Sequence, residues 1–208
     1  MSGTRATVTL GPEAIVAINR YWDPLHDAPA AKILPGQFYV GAPGEMIVTV
    51  LGSCVAACIR DVATGIGGMN HFMLPDGEAS RTDLYGAAER YGQFAMESLI
   101  NAILGAGGRR ERLEVKLAGG GHVLKGGIRI GAHNIAFAHR YLATDGLTVA
   151  AEDVGGDCAR KVYYFPDTGR LRVRHLRSLK NDTIEVRESA YGDLLSAVAA
   201  GSVELFQP

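Results

Sequence analysis

The sequence lacks the features of membrane-spanning, secreted and nucleic-acid-binding proteins. No uninterrupted apolar run approaches the roughly 20 residues that cross a bilayer. Three cysteines are an odd number, and no charged segment followed by an apolar one opens the chain, which argues against a secreted disulfide framework. The formal net charge of −1 leaves no basic stripe for a polyanion. We therefore expect a cytoplasmic protein that neither binds nucleic acid nor inserts into a membrane.

Proline is scarce except near the N-terminus. The chain has 8 prolines, and Pro12, Pro24, Pro29 and Pro35 interrupt any period in the first 35 residues. We therefore predict an irregular N-terminal arm over residues 1–36. Residues 37–208 are long enough for a single domain with a sizeable core, and we predict a C-terminal extension of it after about residue 176.

Periodicity in the remainder predicts more strands than helices. β-branched and aromatic residues punctuated by glycine predict two strands within 37–54, and alternating segments around 166–169 predict a hairpin. Helical spacing of apolar residues predicts helices over 83–104 and 131–145, with one more short helix possible over 191–203. Strands that pair in hairpins predict an α+β fold of mixed sheets covered by two main helices.

The most reactive position is Cys54, which follows Gly52 and Ser53 between the apolar segments 47–51 and 55–59. A cysteine on a tight turn between two strands is accessible at one end and rigidly supported at the other. Backbone N–H groups of small residues, here Gly52 and Ser53, can form an oxyanion hole. A histidine in a second apolar segment, His71, can take the thiol proton. Lone cysteines are usually small core residues instead, which is our expectation for Cys58 and Cys158.

The sequence around Cys54 allows two other interpretations. Cys54 and Arg60 have the C-x5-R spacing of cysteine phosphatases, but the intervening VAACI favours a strand and cannot curl around a phosphate. Cys54, Cys58 and His71 could bind zinc, but no second pair stands at the spacing of a structural zinc site. The run AGGGHVLKGG lacks the serine or threonine of a phosphate loop, so a turn is predicted there. We expect no metal or organic cofactor.

The chain resembles the chemoreceptor glutamine deamidases, the CheD family. LGSCVAACIRD, NHFMLP, LAGGG, IGAHN, AEDVGG and FPDTGRLRV follow the family pattern in order, over roughly residues 37–173. The resemblance implies a layered α/β/β sandwich similar to that of toxin-type glutamine deamidases. It also implies that Cys54 and His71 form a catalytic pair.

The family also places a threonine six positions before the cysteine, where this chain has Val48 and the neighbouring Thr49. A shift by one residue turns a strand side chain to the opposite face. Either a bulge returns Thr49 to the site, or another polar group such as Ser53 or Asn70 orients the imidazole. Thr49 is kept as a candidate member of the site.

The implied reaction is hydrolysis of specific glutamine side chains on methyl-accepting chemotaxis receptors, through a thioester on Cys54. Glutamyl methyl esters could react in the same way. The implied partners are cytoplasmic domains of chemoreceptors and an adaptor phosphatase of the chemotaxis system. The alternative is a binding module for receptors or for that phosphatase, in which the thiol has no catalytic role.

Overall fold

Two five-stranded sheets and three α-helices make up the described part of the chain. The computed structural model describes residues 17–74, 83–123, 130–176 and 183–200. The strands are β1 Asn19–Asp23, β2 Ala28–Lys32, β3 Phe38–Val40, β4 Met46–Leu51, β5 Val55–Asp61, β6 Gly67–Asn70, β7 Leu113–Gly119, β8 Val149–Val154, β9 Ala159–Phe165 and β10 Arg170–Leu176. The helices are α1 Asp83–Gly105, α2 Ile130–Thr144 and α3 Thr183–Ala200, with a 3₁₀ helix at Arg110–Arg112. None of the helices in these ranges is long and apolar enough to cross a membrane.

Each sheet mixes parallel and antiparallel pairs. The strand orders are β1-β2-β4-β9-β10 in the first sheet and β3-β6-β5-β7-β8 in the second. β2 runs parallel to β4, and β7 runs parallel to β8, whereas the other neighbours are antiparallel. The predicted α+β class with mixed sheets is confirmed.

Alternation along β5 explains the layering. Val55, Ala57 and Ile59 belong to the core shared with α1 and α2, because successive side chains of a strand point to opposite faces. Ala56 and Cys58 instead belong to the core between the two sheets. The second sheet is thus buried on both faces, which produces helix, sheet and sheet layers. The likeness to toxin-type deamidases stays a prediction.

The chain departs from the predicted irregular arm at β1 and β2. These strands pair antiparallel, and β2 adds to β4, with Ala30 opposite Met46. Pro24 lies in the connecting turn, and Pro29 lies within β2 opposite Trp22. The predicted irregular arm over residues 1–36 is therefore wrong for β1 and β2. Alanine has a weak strand propensity, so the sequence pattern did not reveal a strand whose Ala30 and Ala31 are fully buried. Residues 1–16 lie outside the described ranges.

The C-terminal helix also differs from its prediction. α3 begins at Thr183, eight residues before the predicted start at 191. The helices over 83–104 and 131–145 appear as α1 and α2, and the predicted hairpin appears as β9 and β10. The early start of α3 matters because it adds Glu188, a buried carboxylate, to the helix.

Candidate active site

The candidate site lies where the chain passes from one sheet to the other. Gly52, Ser53 and Cys54 join the end of β4 in the first sheet to the start of β5 in the second. All three are buried. His71 directly follows β6 and is 2% exposed, and Thr49 lies within β4. The structure therefore brings together all five residues that the sequence singled out.

Thr49 fixes the orientation and tautomer of His71. The Thr49 hydroxyl donates to the Ile33 carbonyl at 2.9 Å and lies 2.8 Å from His71 Nδ1. Since a hydroxyl has one proton, and Ile33 receives it, the Nδ1–H group must donate to Thr49 Oγ1. The other ring nitrogen, Nε2, is then a free lone pair, and it is buried with no hydrogen-bond partner among the described residues. Nε2 is therefore the unprotonated nitrogen of His71.

The register of β4 shows why position 49, and not 48, supplies the hydroxyl. β4 pairs with β9 without interruption from Ile47 to Leu51. Ile47 and Leu51 face the core between the sheets, so Thr49 shares their face, whereas Val48 packs in a separate cluster on the other side. No bulge is needed in this pairing. The expectation that either a bulge returns Thr49 to the site or another polar group orients the imidazole is wrong, because the unbroken strand already directs Thr49 to His71.

The other two groups considered as orienting residues have different partners. Asn70 accepts a hydrogen bond from the Ala57 amide and donates to the Ala95 carbonyl, which ties β5 to α1. The Ser53 hydroxyl donates to Glu188 at 2.7 Å. Neither side chain has a hydrogen bond to His71 among those described.

Replacing Thr49 by valine should disturb His71 more than it disturbs the fold. Valine preserves the shape but leaves His71 Nδ1–H and the Ile33 carbonyl without the hydroxyl, which costs about 1–3 kcal/mol of unfolding free energy. With the tautomer no longer fixed, we expect the rate of the catalysed reaction to fall by about 10–100-fold. Thr49→Ser retains the hydroxyl and should recover most of that rate. Equal rates for Thr49→Val and Thr49→Ser would contradict the orienting role.

Two consecutive glycines hold the backbone of the turn. The Gly121 amide donates to the Gly52 carbonyl and the Gly120 amide donates to the Cys54 carbonyl, each at 2.7 Å. Gly119 precedes them with φ +113°, and a Cβ there would lie 2.2 Å from the Cys54 carbonyl oxygen. The glycine run thus fits directly against the turn, and its role is structural support, not phosphate binding.

Asn134 holds the middle carbonyl and was missed by sequence reasoning. Its Nδ2 donates to the Ser53 carbonyl at 2.9 Å, and its Oδ1 accepts from the Leu74 amide at 2.8 Å. Asn134 is completely buried on α2. The only signal in the sequence was its place in the IGAHN element of the family pattern. With three successive carbonyls bound on one side, the amides of the turn are directed to the other side.

Those amides converge on one carboxylate from α3. Glu188 Oε1 accepts from the Gly52 amide at 2.7 Å and from the Cys54 amide at 3.3 Å. Oε2 accepts from the Ser53 amide and from the Ser53 hydroxyl, both at 2.7 Å. Four donors on two oxygens form a preorganised anion site of the kind that stabilises an oxyanion. Sequence reasoning did not predict the contribution of Glu188.

The three reactive groups are close together and sealed from water. Cys54 Sγ, a ring nitrogen of His71 and a carboxylate oxygen of Glu188 all lie within 4.8 Å of one another. Burial, followed by the negative charge of Glu188 and its hydrogen bond, holds the pKa of the Cys54 thiol well above its ordinary value. The three groups could also ligate a metal ion, although both oxygens of Glu188 already accept hydrogen bonds from the turn.

The remaining cysteines and Arg60 lie apart from this cluster. Residues 55–59 belong to the regular strand β5, and Arg60 pairs with Glu114 at 2.9 Å. Cys58 packs in the core between the sheets, as expected. Cys158 is only half-buried and lies 3.5 Å from Nδ1 of His175, so its prediction as a core residue is wrong. The start of β9 at the surface leaves its sulfur partly open to solvent.

The imidazole of His71 should make the protein acid-sensitive. Burial, with a smaller effect of Arg187, lowers the pKa of folded His71 from 6.5 to about 3. As the pH falls below about 6.5, the His71 imidazole binds a proton in the unfolded chain but stays neutral in the folded chain. The unfolding free energy therefore falls by up to about 1.4 kcal/mol per pH unit. This loss continues until the pH nears the folded value.

Urea unfolding between pH 6.5 and 4.5 tests this prediction, because Asp61, whose pKa is lowered to about 2, titrates below that window. The slope of the unfolding free energy against pH measures how many protons the chain binds on unfolding. His71→Gln should lower that number by about one. His122→Gln, at an exposed position, is the matched control and should retain the slope. The same slope in His71→Gln and in the unsubstituted protein would contradict the assignment.

Comparison with known proteins identifies the family. The family model described as CheD chemotactic sensory transduction matches residues 73–175. A protein of Halorhodospira halophila is 52% identical over 194 residues, which cover 91% of this chain and 90% of the relative. One of Thiobacillus denitrificans is 51% identical over 197 residues, covering 93% and 98%. This chain belongs to the CheD family.

Both CheD relatives carry the name "probable chemoreceptor glutamine deamidase CheD", and the resemblance found from the sequence is confirmed. The CheD family match includes Asn134 and the glycine run but begins after His71. For this CheD chain, the arrangement of Cys54, His71 and Thr49 therefore rests on the geometry given above.

Proposed function

We propose that this chain hydrolyses glutamine side chains of chemoreceptors to glutamate, with Cys54 as the nucleophile. The observation that carries the proposal is the His71 imidazole. Thr49 Oγ1 lies 2.8 Å from its Nδ1, its Nε2 is buried without a hydrogen-bond partner among the described residues, and one of its ring nitrogens lies within 4.8 Å of Cys54 Sγ. A neutral imidazole beside a cysteine is the pair that nucleophilic amide hydrolysis requires. The names of the CheD relatives support glutamine as the substrate side chain.

The first half of the reaction forms a thioester. His71 takes the proton of Cys54 as Sγ attacks the carboxamide carbon of the glutamine. The amides of Gly52, Ser53 and Cys54 converge on the two oxygens of one carboxylate in the folded chain, and amides of this turn donate to the oxygen that becomes negative. His71 then gives its proton to the departing nitrogen, the C–N bond breaks, and ammonia leaves.

The second half uses water in the same site. His71 takes a proton from a water molecule, whose oxygen attacks the thioester carbon. The C–S bond breaks, and Cys54 recovers its proton through His71. The product is a glutamate, and one oxygen of its carboxylate comes from water. Every proton transfer uses Nε2 of His71, which is why the tautomer fixed by Thr49 matters.

The same machinery suits a glutamyl methyl ester, with methanol leaving in place of ammonia. The converging amides recognise the carbonyl oxygen, which esters and carboxamides share, so we propose ester hydrolysis as a second outcome of the same thioester. Methanol release from a methylated receptor fragment tests it. Absence of methanol under conditions that release ammonia would exclude the ester reaction.

The deciding experiment is mass spectrometry of a chemoreceptor cytoplasmic fragment before and after incubation with the protein. Each hydrolysed glutamine should gain about one mass unit in ordinary water and about three in ¹⁸O-labelled water, because one product oxygen derives from water. A protein that binds the fragment but changes no mass would be the binding module considered as the alternative. The adaptor phosphatase stays a predicted partner, to be tested by adding it to the same assay.

A further inference from the structure

One face of α3 is packed against the candidate site. The buried and half-buried positions Ile184, Glu188, Tyr191 and Leu195 follow the spacing of a single helix face. The exposed positions include Val186, Ser189 and Asp193 on the remaining surface. A helix with one buried face is held by tertiary packing more than by its own propensity. α3 is thus a separate C-terminal element docked on the turn that carries Cys54.

The contacts beyond Glu188 show that the docking is specific. The hydroxyl of Tyr191 contacts that of Tyr91 on α1, and the ring lies against Gly36, where a Cβ would meet the Tyr191 hydroxyl. Gly192 faces the side chain of Met73, with an added Cβ 3.2 Å from Met73 Cε. Leu195 is 6% exposed. Small residues at the points of contact let the helix approach closely.

Glu188 has the chemical form of the reaction product. Hydrolysis of a glutamine side chain yields a carboxylate on a two-methylene stem, which is the side chain of glutamate. Here such a group lies beside Cys54 and His71, with four donors on its two oxygens. A carboxamide would place a donor where Oε2 now accepts from the Ser53 amide, so the site in this state is complementary to the product.

With α3 docked, a substrate has no access to the nucleophile. Cys54 is 0% exposed and His71 is 2% exposed. The converging amides are occupied by Glu188, and the same carboxylate keeps the pKa of the Cys54 thiol high. Both effects suppress attack, one by exclusion and the other by keeping the sulfur protonated. Movement of α3 would relieve both effects together.

We propose that α3 is a built-in product-like inhibitor: Glu188 occupies the position of the substrate side chain, and the enzyme is active only when α3 leaves the site. This inference rests on the proposed function, because it assigns position 188 to the substrate position of that reaction. The natural competitor for the site is a helix that presents a glutamine on its surface. Occupancy by α3 reduces the apparent affinity for such a helix in proportion to the docked fraction.

Alkylation of Cys54 tests the docking without requiring any deamidation. Iodoacetamide labelling is followed by peptide mass spectrometry on the full chain, with half-buried Cys158 as internal reference and buried Cys58 as reporter of unfolding. Glu188→Ala should speed labelling of Cys54 by at least about tenfold, since it removes charge-assisted hydrogen bonds. It should also shift the pH profile of labelling to lower pH, because the carboxylate that raises the Cys54 pKa is gone.

Two further variants separate docking from local chemistry. Leu195→Ala weakens the docked helix without touching the turn and should accelerate labelling in the same direction. Asp193→Ala removes a carboxylate from the exposed face of α3 and should label like the unsubstituted protein. Unchanged labelling in both Glu188→Ala and Leu195→Ala would overturn the proposal. The proposal would also be overturned if Cys58 were labelled as fast as Cys54 in Glu188→Ala and Leu195→Ala. Unfolding of the whole domain would then explain why Cys54 becomes accessible.

Glu188→Gln tests whether side chain 188 occupies the position of the substrate side chain. The new carboxamide at position 188 should be hydrolysed by Cys54 to carboxylate and ammonia, with a gain of about one mass unit that is absent when Cys54→Ala is added. If receptor glutamines react while position 188 stays a carboxamide, Glu188 does not mark the substrate position. If no receptor glutamine reacts but Cys54 protection changes as expected, the proposed function fails and the docking stands. If receptor glutamines react and Glu188→Ala alters neither labelling nor rate, the docking alone fails.

Discussion

Replacing Cys54 by alanine should lower the rate of ammonia release from a receptor fragment by about 10⁴-fold or more, because no other group can form the thioester. The carbonyls and amides of the turn are backbone groups, so the alanine variant retains the anion site. Substrate binding should therefore persist while turnover is lost. The measurement is initial ammonia release, with deamidated peptides counted by mass spectrometry.

The matched control for that prediction is Cys58→Ala. Cys58 is also fully buried and lies four residues further along, in the core between the sheets. Its truncation should cost about 1 kcal/mol of unfolding free energy and leave turnover within a few-fold. Ammonia release by Cys54→Ala at the rate of the unsubstituted protein would show that the nucleophile is misassigned.

The second large effect is expected at Gly119, where alanine should destabilise the fold by about 3 kcal/mol or more. A Cβ at this position would lie 2.2 Å from the Cys54 carbonyl oxygen and 3.0 Å from the Val55 Cα, both backbone atoms that cannot turn aside. The positive φ of +113° adds conformational strain. Urea unfolding followed by circular dichroism measures the loss as a lower midpoint.

Gly146→Ala separates the backbone strain of a positive φ from the steric clash of an added Cβ. Gly146 also has a positive φ, +70°, but a Cβ there would have no atom of the described residues within 4 Å. Its replacement should cost only the strain, about 1 kcal/mol. Equal losses at Gly119 and Gly146 would mean that the contact between the glycine run and the Cys54 turn is not what fixes the site.

Strongly periodic elements were recovered from the sequence, and weakly periodic ones were not. α1 and α2 carry long apolar stripes, and β9 and β10 alternate on either side of a turn, so local patterns identify them. β2 is rich in alanine and interrupted by Pro29, and its strand exists because it adds to β4. Pairing partners far along the chain supply the hydrogen bonds that define such a strand, and no local window contains them.

Some residues of the candidate site could likewise be predicted from the sequence, and others could not. Cys54 and His71 were found because a Gly-Ser-Cys turn and a histidine among glycines are unusual in segments meant only for burial. The sequence left the face of Thr49 open, because that face depends on the register in which β4 pairs with β9. Apart from its place in the IGAHN element, Asn134 gave no local sign of its role. Its contact with Ser53 exists only once α2 is packed on the second sheet.

The sequence by itself determined the family and the α+β class, and it supplied the groups of the proposed chemistry, a thiol and an imidazole beside backbone donors. Residue types and short spacings carry that information, because reactivity depends on the groups present. Only the tertiary structure decided that Glu188 of α3 lies against the amides of the Cys54 turn, 134 residues earlier in the chain. A contact over that distance depends on the packing of both sheets and α3 together, and no pattern within either segment records it.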